Sequence, residues 1–272
     1  MADALHRLSL RLSRLAVTLA GIIVYLFLAL PVVVIVLSAF SPEPYPQFLP
    51  KGLSLRWFEA LLQDPAWAES LWVSLLLLAI VTPLTVVLGT FAAWSLARLN
   101  FRYREALQAF ILSPLMIPQV VLGIALLYVL TAAGIAGTLS GLVIGHVVVA
   151  LPYVVRTVSV SLAAMAKRLE SVAMSLGAGR WYTFRSVTLP LIKPGILAGG
   201  VFAAVTSFGE VSVSLFLTAP GTITVPVQVF NYVDQTFDPT VNAISVIFIA
   251  IAILLLMVIE KTIGLVKLNQ TR

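Results

Sequence analysis

Long runs of apolar residues without a single charge dominate this sequence. Three runs stand out, at 15–42, 70–97 and 106–155. Because a helix needs about 20 apolar residues to cross a hydrocarbon layer of ~30 Å, the third run is long enough for two helices and must fold back on itself. The small residues of 132–141 are the predicted place of that reversal.

Two later apolar runs complete the pattern, and a single acid, Glu210, interrupts the first of them. The pattern predicts six transmembrane helices, near 15–40, 70–97, 106–131, 139–163, 193–218 and 240–262. Of the 272 residues, 60% are hydrophobic and 10% are charged, whereas about a quarter of a soluble domain is charged. The predicted fold class is therefore an all-α integral membrane protein, and the lack of cysteine excludes a disulfide-bonded scaffold.

Lysine and arginine are distributed very unevenly between the predicted connections. With six spans, Lys51 and Arg56 are the only two of 17 basic residues on one side. Because positively charged loops stay in the cytoplasm, both termini are predicted to be cytoplasmic. A signal peptide is the alternative for the N-terminal segment, but the apolar run exceeds the roughly 7–15 residues of such a peptide, so a retained anchor is predicted. The predicted order is a cytoplasmic N-terminus (1–14), a first transmembrane helix (15–40), an external loop (41–69), a core of five transmembrane helices (70–265) with a cytoplasmic segment (164–192), and a cytoplasmic tail (266–272).

The two longest predicted external loops, 41–69 and 218–239, are acidic. Their acids are Glu43, Glu59, Asp64, Glu69, Asp234 and Asp238. A negative outer face could favour a cationic solute through its electrostatic field. Alternatively, these acids simply populate the translocated side of the membrane.

The cytoplasmic segment 164–192 is too polar to span a membrane and too regular to be a linker. Its apolar residues recur at helical spacing, at Leu169, Val172, Ala173 and Leu176. The segment is predicted to contain a short amphipathic helix that ends at Gly177, since glycine commonly terminates a helix in a left-handed turn. An apolar helix face in the cytoplasm must be buried against lipid, against other helices of the chain, or in the groove of a partner protein.

The residues of this segment resemble a known signature. Glu170-Ser-Val-Ala-Met-Ser-Leu-Gly177, followed after nine residues by Val187-Thr-Leu-Pro190, is similar to the cytoplasmic loop of permease subunits of bacterial ATP-binding-cassette (ABC) importers. The spacing matches that signature (EAA, three residues, G, nine residues, I, any residue, LP) throughout. The sequence departs from it at Ser171 and Val172, where the family usually has Glu and Ala, and it places Glu170 one position early.

Six further blocks resemble, in the same order, the second permease subunit of spermidine/putrescine-type importers. They are Gly52-Leu-Ser-Leu-Arg-Trp-Phe58, Leu96-Ala-Arg-Leu-Asn-Phe-Arg102, Pro118-Gln-Val-Val-Leu-Gly123, Leu151-Pro-Tyr-Val-Val155, Phe216-Leu-Thr-Ala-Pro-Gly221 and Asp238-Pro-Thr-Val-Asn-Ala243. The resemblance covers about 15–265 and implies the six-helix, MetI-like fold of type I importer permeases. It also implies half of a translocation pathway for a small, polar, cationic solute in a bacterial cytoplasmic membrane.

The resemblance implies that the cytoplasmic segment carries a coupling helix, which seats in an ATPase subunit. The implied coupling residues are Glu170, Ser171, Ala173, Gly177, Leu189 and Pro190. The implied partners are a second homologous permease, an ATPase dimer, an external or periplasmic solute-binding protein, and membrane lipid. No P-loop of the form GxxxxGK[ST] occurs in the sequence, so ATP and Mg²⁺ are expected in the ATPase and no cofactor in this chain. The net charge of +6 is a topology signal and needs no nucleic-acid partner.

Glu210 is the acid that interrupts the predicted fifth span. A carboxylate there costs about 2.5 kcal/mol or more, so it should face a cavity, pair with another group, or be protonated. It could attract a cationic solute on the pathway, or it could form a structural pair, for example with the partner permease. Polyamine permeases often have two adjacent acids at this place and another acid where this sequence has Gln119. Because this sequence has fewer acids at these two places, a smaller amine, an amino-acid-like compound or a phosphonate are alternative solutes.

Several other residues have both a functional and a structural interpretation. Trp57 could hold a cation over its ring, or it could anchor the chain at the membrane interface. His146 is predicted to pack and to hydrogen-bond across helices, and a metal site is not expected from one core histidine without cysteine. Gly195 and Gly199 predict close helix packing.

An enzyme and a self-contained carrier are the competing functional classes. A serine hydrolase would need a nucleophile motif such as GxSxG, which Gly137-Thr-Leu-Ser-Gly141 does not match, and the metalloprotease motif HExxH is absent. A channel or secondary carrier would explain six helices and Glu210 but not the signature segment. A transport subunit rather than an enzyme is therefore predicted.

Overall fold

The computed structural model describes residues 2–44, 50–235 and 239–270. No β-strand occurs in these ranges. The α-helices are α1 (Ala2–Ala39), α2 (Arg56–Gln63), α3 (Pro65–Arg98), α4 (Arg104–Leu112), α5 (Gln119–Ala132), α6 (Leu139–Ala164), α7 (Lys167–Ser175), α8 (Arg180–Thr183), α9 (Leu189–Phe208), α10 (Ser214–Leu217), α11 (Val225–Gln235) and α12 (Thr240–Gln270). A 3₁₀ turn (Ser113–Leu115) follows α4, and a π-helix (Phe184–Thr188) joins α8 to α9. The predictions for Asp238 and for the last two residues of the tail lie outside the described residues.

The chain divides into two units, one made of Met1–Asp64 and Thr236–Ala250 and the other of Pro65–Gln235 and Ile251–Arg272. In the first unit, the turn after α1 folds onto α2. The rings of Phe40 and Phe58 lie 5.0 Å apart between centroids. The backbone N–H of Ser54 also donates to the carbonyl oxygen of Phe40 over 2.8 Å. These contacts hold part of the predicted external loop as a folded piece.

The core of the second unit is formed by α3, α6 and α9, which approach closely at glycines. A Cβ on Gly89 of α3 would lie 2.7 Å from the Val154 side chain of α6. A Cβ on Gly199 of α9 would lie 3.1 Å from the Val154 Cα, and one on Gly195 would lie 2.9 Å from the Thr157 carbonyl oxygen. The prediction that Gly195 and Gly199 mark close helix packing is confirmed by these distances.

The reversal predicted at 132–141 is present. Helix α5 ends at Ala132, and Gly134 and Gly137 both have positive φ angles, of 71° and 73°. The Thr138 side chain then caps α6 by accepting a hydrogen bond from the Gly141 N–H over 3.2 Å. Glycine supplies the left-handed conformations and threonine the cap, so one apolar run becomes two helices.

The third predicted helix, 106–131, is not continuous. Helix α4 with its 3₁₀ turn and helix α5 are bent by 112° relative to each other. Pro114 lies in the 3₁₀ turn and Pro118 lies in the break, and neither has an N–H to donate to the helix ladder. Pro118 itself has ψ of 129°, outside the helical region, and α5 starts immediately after it.

In the structure, the fifth predicted helix, 193–218, both begins and ends earlier in the sequence than predicted. A continuous helical segment runs from Arg180 to Phe208. It stops at Gly209, and Glu210 lies in the turn that precedes the four-residue helix α10. Glu210 is therefore not a mid-helix residue, which changes how its carboxylate can be satisfied.

Within the described residues, four helical segments are long and apolar enough to cross a membrane. The bent pair of α4 and α5 makes up to five, and the described apolar part of α12, Thr240–Leu255, is shorter. The predicted class, an all-α membrane protein with several spans, agrees with this arrangement.

Candidate functional site

Helix α7 is the amphipathic helix predicted in the cytoplasmic segment, and it ends where the sequence indicates. Gly177 adopts φ of 90°. The N–H of Ala178 donates to the carbonyl of Ala173 over 3.1 Å, and the N–H of Gly177 donates to that of Met174 over 3.0 Å. This pair of bonds is a Schellman motif, which requires a left-handed residue at Gly177.

Among the described residues, none covers the apolar face of α7. Leu169 and Val172 are exposed, and Leu176 is 83% exposed. Ala173 is half-buried and, with Leu176, Gly177 and Tyr182, lines an open hollow of about 600 Å³. We call Leu169, Val172, Leu176 and this hollow the docking face.

The opposite face of α7 carries a buried carboxylate. Oε2 of Glu170 pairs with Nε of Arg98, at the end of α3, over 2.5 Å. Oε1 of Glu170 accepts a hydrogen bond from Oγ1 of Thr188 over 2.6 Å. Glu170 is 8% exposed, so its carboxylate is turned toward its own chain. The structure therefore gives Glu170 partners within its own chain, and its contact with an ATPase stays a prediction.

The other residues of the signature have distinct environments. Ser171 is exposed, and its carbonyl oxygen accepts a hydrogen bond from Ser175 Oγ over 2.9 Å. Leu189 is half-buried and Pro190 is exposed at the start of α9. Because Pro190 has no N–H for the helix ladder, the backbone before it widens into the π-helix, in which the Leu189 N–H donates to the Phe184 carbonyl.

A second polar cluster lies among the spans and surrounds Glu210. Oε1 of its carboxylate accepts the Val213 N–H over 2.9 Å. Oε2 accepts both the N–H and the Oγ–H of Ser214, each over 2.8 Å. Glu210 is 5% exposed. Its bonds to the two backbone N–H groups make it the cap of the turn into α10. A carboxylate with three donors is satisfied inside the chain, so the geometry favours the structural interpretation of Glu210 over a solute contact.

His146 extends this cluster to α6 and α9. Its Nε2 lies 2.9 Å from Ser214 Oγ, and its Nδ1 lies 2.9 Å from Ser207 Oγ. His146 is 1% exposed. The predicted role of a packed histidine that hydrogen-bonds across helices is confirmed by these contacts.

The segment that holds the Glu210 turn fits between two helices at glycines. A Cβ on Gly123 of α5 would lie 2.7 Å from the Phe216 side chain and 3.1 Å from the Val213 Cα. A Cβ on Gly145 of α6 would collide with the Leu217 side chain. The turn is therefore clamped between α5 and α6, and side-chain volume at either glycine would displace it.

The two remaining candidate pathway residues are in different settings. Trp57 is buried in the first unit, where its Nε1–H donates to the Ser41 carbonyl over 2.8 Å. The Arg56 guanidinium lies 4.5 Å from the centroid of the Trp57 ring. These contacts give Trp57 a packing role. Gln119, in contrast, is exposed as the first residue of α5, at the bend after Pro118.

Four partners in these clusters were not singled out by sequence reasoning as site residues. They are Arg98, Thr188, Ser207 and Ser214. Arg98 and Thr188 lie within blocks that carry the resemblance, but their spacing gives no sign of contact with Glu170. Ser207 and Ser214 carry no distinguishing sequence pattern, and only the folded chain brings their side chains to His146.

The several apolar spans and the short amphipathic helix α7 indicate a multi-span transport subunit, and comparisons with known proteins identify its family. The profile of the family described as "binding-protein-dependent transport system inner membrane component" matches residues 85–263. The chain belongs to this family of ABC importer permeases. It is thus a multi-pass membrane subunit of a transporter rather than an enzyme, as predicted.

Curated relatives cover nearly the whole chain. The putative 2-aminoethylphosphonate transport system permease protein PhnV of Salmonella typhimurium is 30% identical over 89% of this chain and 91% of its own length. The putrescine transport system permease protein PotI of Escherichia coli is 30% identical over 87% of this chain and 85% of its own. The spermidine/putrescine transport system permease protein PotC of Haemophilus influenzae is 28% identical over 86% and 90%.

Solved structures confirm the fold. A chain of a bacterial ABC transporter involved in import of the acidic polysaccharide alginate superimposes with a TM-score of 0.74, at 18% identity, over 92% of this chain and 96% of that chain. A chain of the MetNI methionine ABC transporter in an inward-facing conformation gives a TM-score of 0.61, at 18% identity, over 79% and 99%. The predicted MetI-like fold class is confirmed.

Proposed function

We propose that this chain forms half of the translocation pathway of an importer that is driven by a separate ATPase dimer and fed by an external solute-binding protein. A second homologous permease supplies the other half. In this proposal the protein lies in a bacterial cytoplasmic membrane, with both termini and the coupling segment in the cytoplasm. The ATPase binds ATP and Mg²⁺.

The observation that carries the proposal is the docking face of α7. Three exposed apolar side chains and a hollow of about 600 Å³ lie on a helix too short and too polar to enter the membrane. Exposed apolar helix faces are typical of helix-in-groove recognition by a partner protein. The signature residues and the family favour an ATPase as that partner over lipid or another part of this chain.

The solute in this proposal is a small molecule that carries a protonated amine. PotI and PotC are named for putrescine and spermidine, and PhnV for 2-aminoethylphosphonate. All three compounds contain a primary amine. Acids on the proposed outer face, among them the exposed Glu59 and Glu69, would raise the local concentration of such a cation.

An aminophosphonate or an amino-acid-like amine is the second candidate, and one observation favours it. Glu210 is buried and occupied by hydrogen bonds within the chain, and Gln119 is neutral. The described residues near the bend therefore offer the solute few carboxylates, which suits a singly charged amine better than a polycation. Gln119 remains our candidate for direct solute contact, because it is exposed at the bend between α4 and α5.

Reconstitution tests this proposal. The complete importer in proteoliposomes, loaded with ATP and supplied with its binding protein, should accumulate radiolabelled putrescine, spermidine or 2-aminoethylphosphonate, and the preferred compound identifies the solute class. Omitting the ATPase should abolish accumulation. Gln119→Ala should lower uptake of that compound at least threefold, while the exposed Gln108→Ala serves as the matched control. Accumulation by this permease without ATPase would make it a secondary carrier and end the proposal.

A further inference from the structure

One buried carboxylate and its arginine partner connect the coupling helix to the ends of α3 and α6 and to the π-helix that leads into α9. Glu170 of α7 binds Arg98 at the end of α3 and Thr188, the last residue of the π-helix before α9. The same Arg98 guanidinium donates through a second nitrogen to the Leu162 carbonyl, in the last turn of α6, over 3.5 Å. The three residues Arg98, Glu170 and Thr188 are named here the junction.

We propose that the junction makes α7 move as one body with the helix core, so that a displacement of α7 by the ATPase reaches the translocation pathway. Arg98, Glu170 and Thr188 are in this sense positioning residues of the transport cycle. This inference rests on the proposed function, because it assigns the path by which the work of the ATPase enters this chain.

The chain segments that join α7 to the core are too soft to do this by themselves. Before α7, Met165 is buried in the core and its N–H donates to the Ser161 carbonyl, so that only the extended Ala166, with ψ of 114°, separates the core from α7. After it, Gly177 and Gly179 have open space where a Cβ would stand. A helix connected only by one extended residue and by two glycines would pivot when pushed, because segments with few contacts deform at low free-energy cost.

The junction has the properties of a stiff connection. Its ion pair is mostly buried, with side-chain exposures of 14% for Arg98 and 10% for Glu170. Solvent screens a buried pair little, and the two carboxylate oxygens bind two different helical elements. Beyond it, α3, α6 and α9 touch at Gly89 and Gly199 with no space for a Cβ. Rigid helices in such close contact transmit displacement as a unit.

The π-helix explains how Thr188 reaches Glu170. Its wider turn ends at Thr188, immediately before Leu189-Pro190 of the signature. Thr188 is fully buried, and its hydroxyl is 2.6 Å from the carboxylate. The Leu-Pro pair of the signature thus acts through the backbone: it sets the helix geometry that presents Thr188 to the coupling helix.

The experiment uses the complete importer, with two nitroxide labels on this cysteine-free chain, at Ser175→Cys on α7 and Asn100→Cys after α3. Pulsed electron paramagnetic resonance gives the width of the α7–α3 distance distribution. Radiolabelled uptake of putrescine or 2-aminoethylphosphonate, divided by phosphate released, gives the coupling ratio. Glu170→Gln, Arg98→Gln and Thr188→Val remove one junction contact each. The exposed residues Arg102→Gln and Glu105→Gln are matched charge controls.

We expect each junction variant to broaden the distance distribution and to lower the coupling ratio at least fivefold while ATP hydrolysis continues. Thr188→Ser, which keeps the hydroxyl, and the exchanged pair Arg98→Glu with Glu170→Arg should recover at least half of the ratio. The mild Thr188→Val change keeps the test valid if the charge variants fail to assemble.

Three results would overturn the inference: an unchanged coupling ratio, a lower ratio without broadening, or controls that behave like the junction variants. If the unsubstituted importer needs its ATPase while the variants stay coupled, the junction is rejected and the proposed function stands. If uptake proceeds without the ATPase, the proposed function fails and the junction has no work to transmit.

Discussion

The imidazole Nε2 of His146 lies 2.9 Å from the Oγ of Ser214, and this contact fixes the proton on the ring. The hydroxyl proton of Ser214 is already donated to Glu210 Oε2. A hydroxyl has one proton, so Nε2 must be the donor toward Ser214. For the neutral ring, Nδ1 must then accept from Ser207, whose Oγ is 2.9 Å away. The hydrogen bonds of the cluster therefore all point the same way: Ser207 donates to His146, His146 donates to Ser214, and Ser214 donates to Glu210.

His146→Leu should lower the stability of the permease, because it leaves the hydroxyls of Ser207 and Ser214 without their ring partner. Ser207 loses the acceptor of its hydroxyl proton, which costs about 1–3 kcal/mol, whereas Ser214 still donates to Glu210. Thermal unfolding of the detergent-solubilised importer, followed by fluorescence-detected size exclusion, measures the change. Adding Ser207→Ala to His146→Leu should cost less than the two separate losses combined, since the residues share one bond. Strict additivity would show that the hydrogen bond contributes nothing.

Glu210→Ala should reduce the folding yield and thermal stability, because the N–H groups of Val213 and Ser214 lose their acceptor. The expected cost is about 2 kcal/mol or more. Glu210→Gln should cost less, since one amide oxygen can still accept a bond. The exposed Glu59→Gln is the matched control. If Glu210→Ala were as stable as the unsubstituted protein but failed to transport, Glu210 would be a pathway residue and not a cap.

Gly199→Ala should weaken the α6–α9 contact, because the new Cβ would stand 3.1 Å from the Val154 Cα, which is backbone and cannot move aside. Overpacking of this kind costs about 1–3 kcal/mol. Gly200→Ala on the same helix is the control, because its Cβ would meet only the Val86 side chain, at 3.3 Å. Membrane yield and thermal unfolding should fall for Gly199→Ala alone. Equal loss in both variants would contradict the packing argument.

Leu176→Asp, or Val172→Asp, should detach the ATPase, because a charge on the docking face would have to be buried in the partner's groove. Affinity purification of this permease should then recover at least tenfold less ATPase, with unchanged membrane insertion. Leu62→Asp, at an equally exposed leucine of α2, should leave the recovery unchanged. Retention of the ATPase by both docking-face variants would place its binding surface elsewhere.

Sequence reasoning predicted the helices well where the signal is local. The reversal at 132–141 follows from Gly134 and Gly137, and the end of α7 follows from Gly177. It was less successful at breaks within apolar runs. The prolines at 114 and 118 were present in the third run, but hydrophobicity alone cannot distinguish a bent pair from a straight helix.

The functional residues divide in the same way. The exposed apolar face of α7 could be inferred from spacing, because it depends on the helical period alone. The environments of Glu170 and Glu210 could not, since their partners come from other elements or from a turn where a helix was expected. The sequence leaves both acids available to a partner or a solute, whereas in the structure both carboxylates bind groups of their own chain.

By itself, the sequence determined that this protein crosses the membrane several times and where a short amphipathic helix lies, and it predicts which side of the membrane carries the positive loops. These properties depend on the length of apolar runs and on charge counts, which are local sums along the chain. Only the tertiary structure decided that Glu170 meets Arg98 across 72 residues and that His146 meets Ser214 across 68. Such contacts arise because helices pack at glycines in one register, and that register is fixed by the shape of whole helices rather than by any short segment.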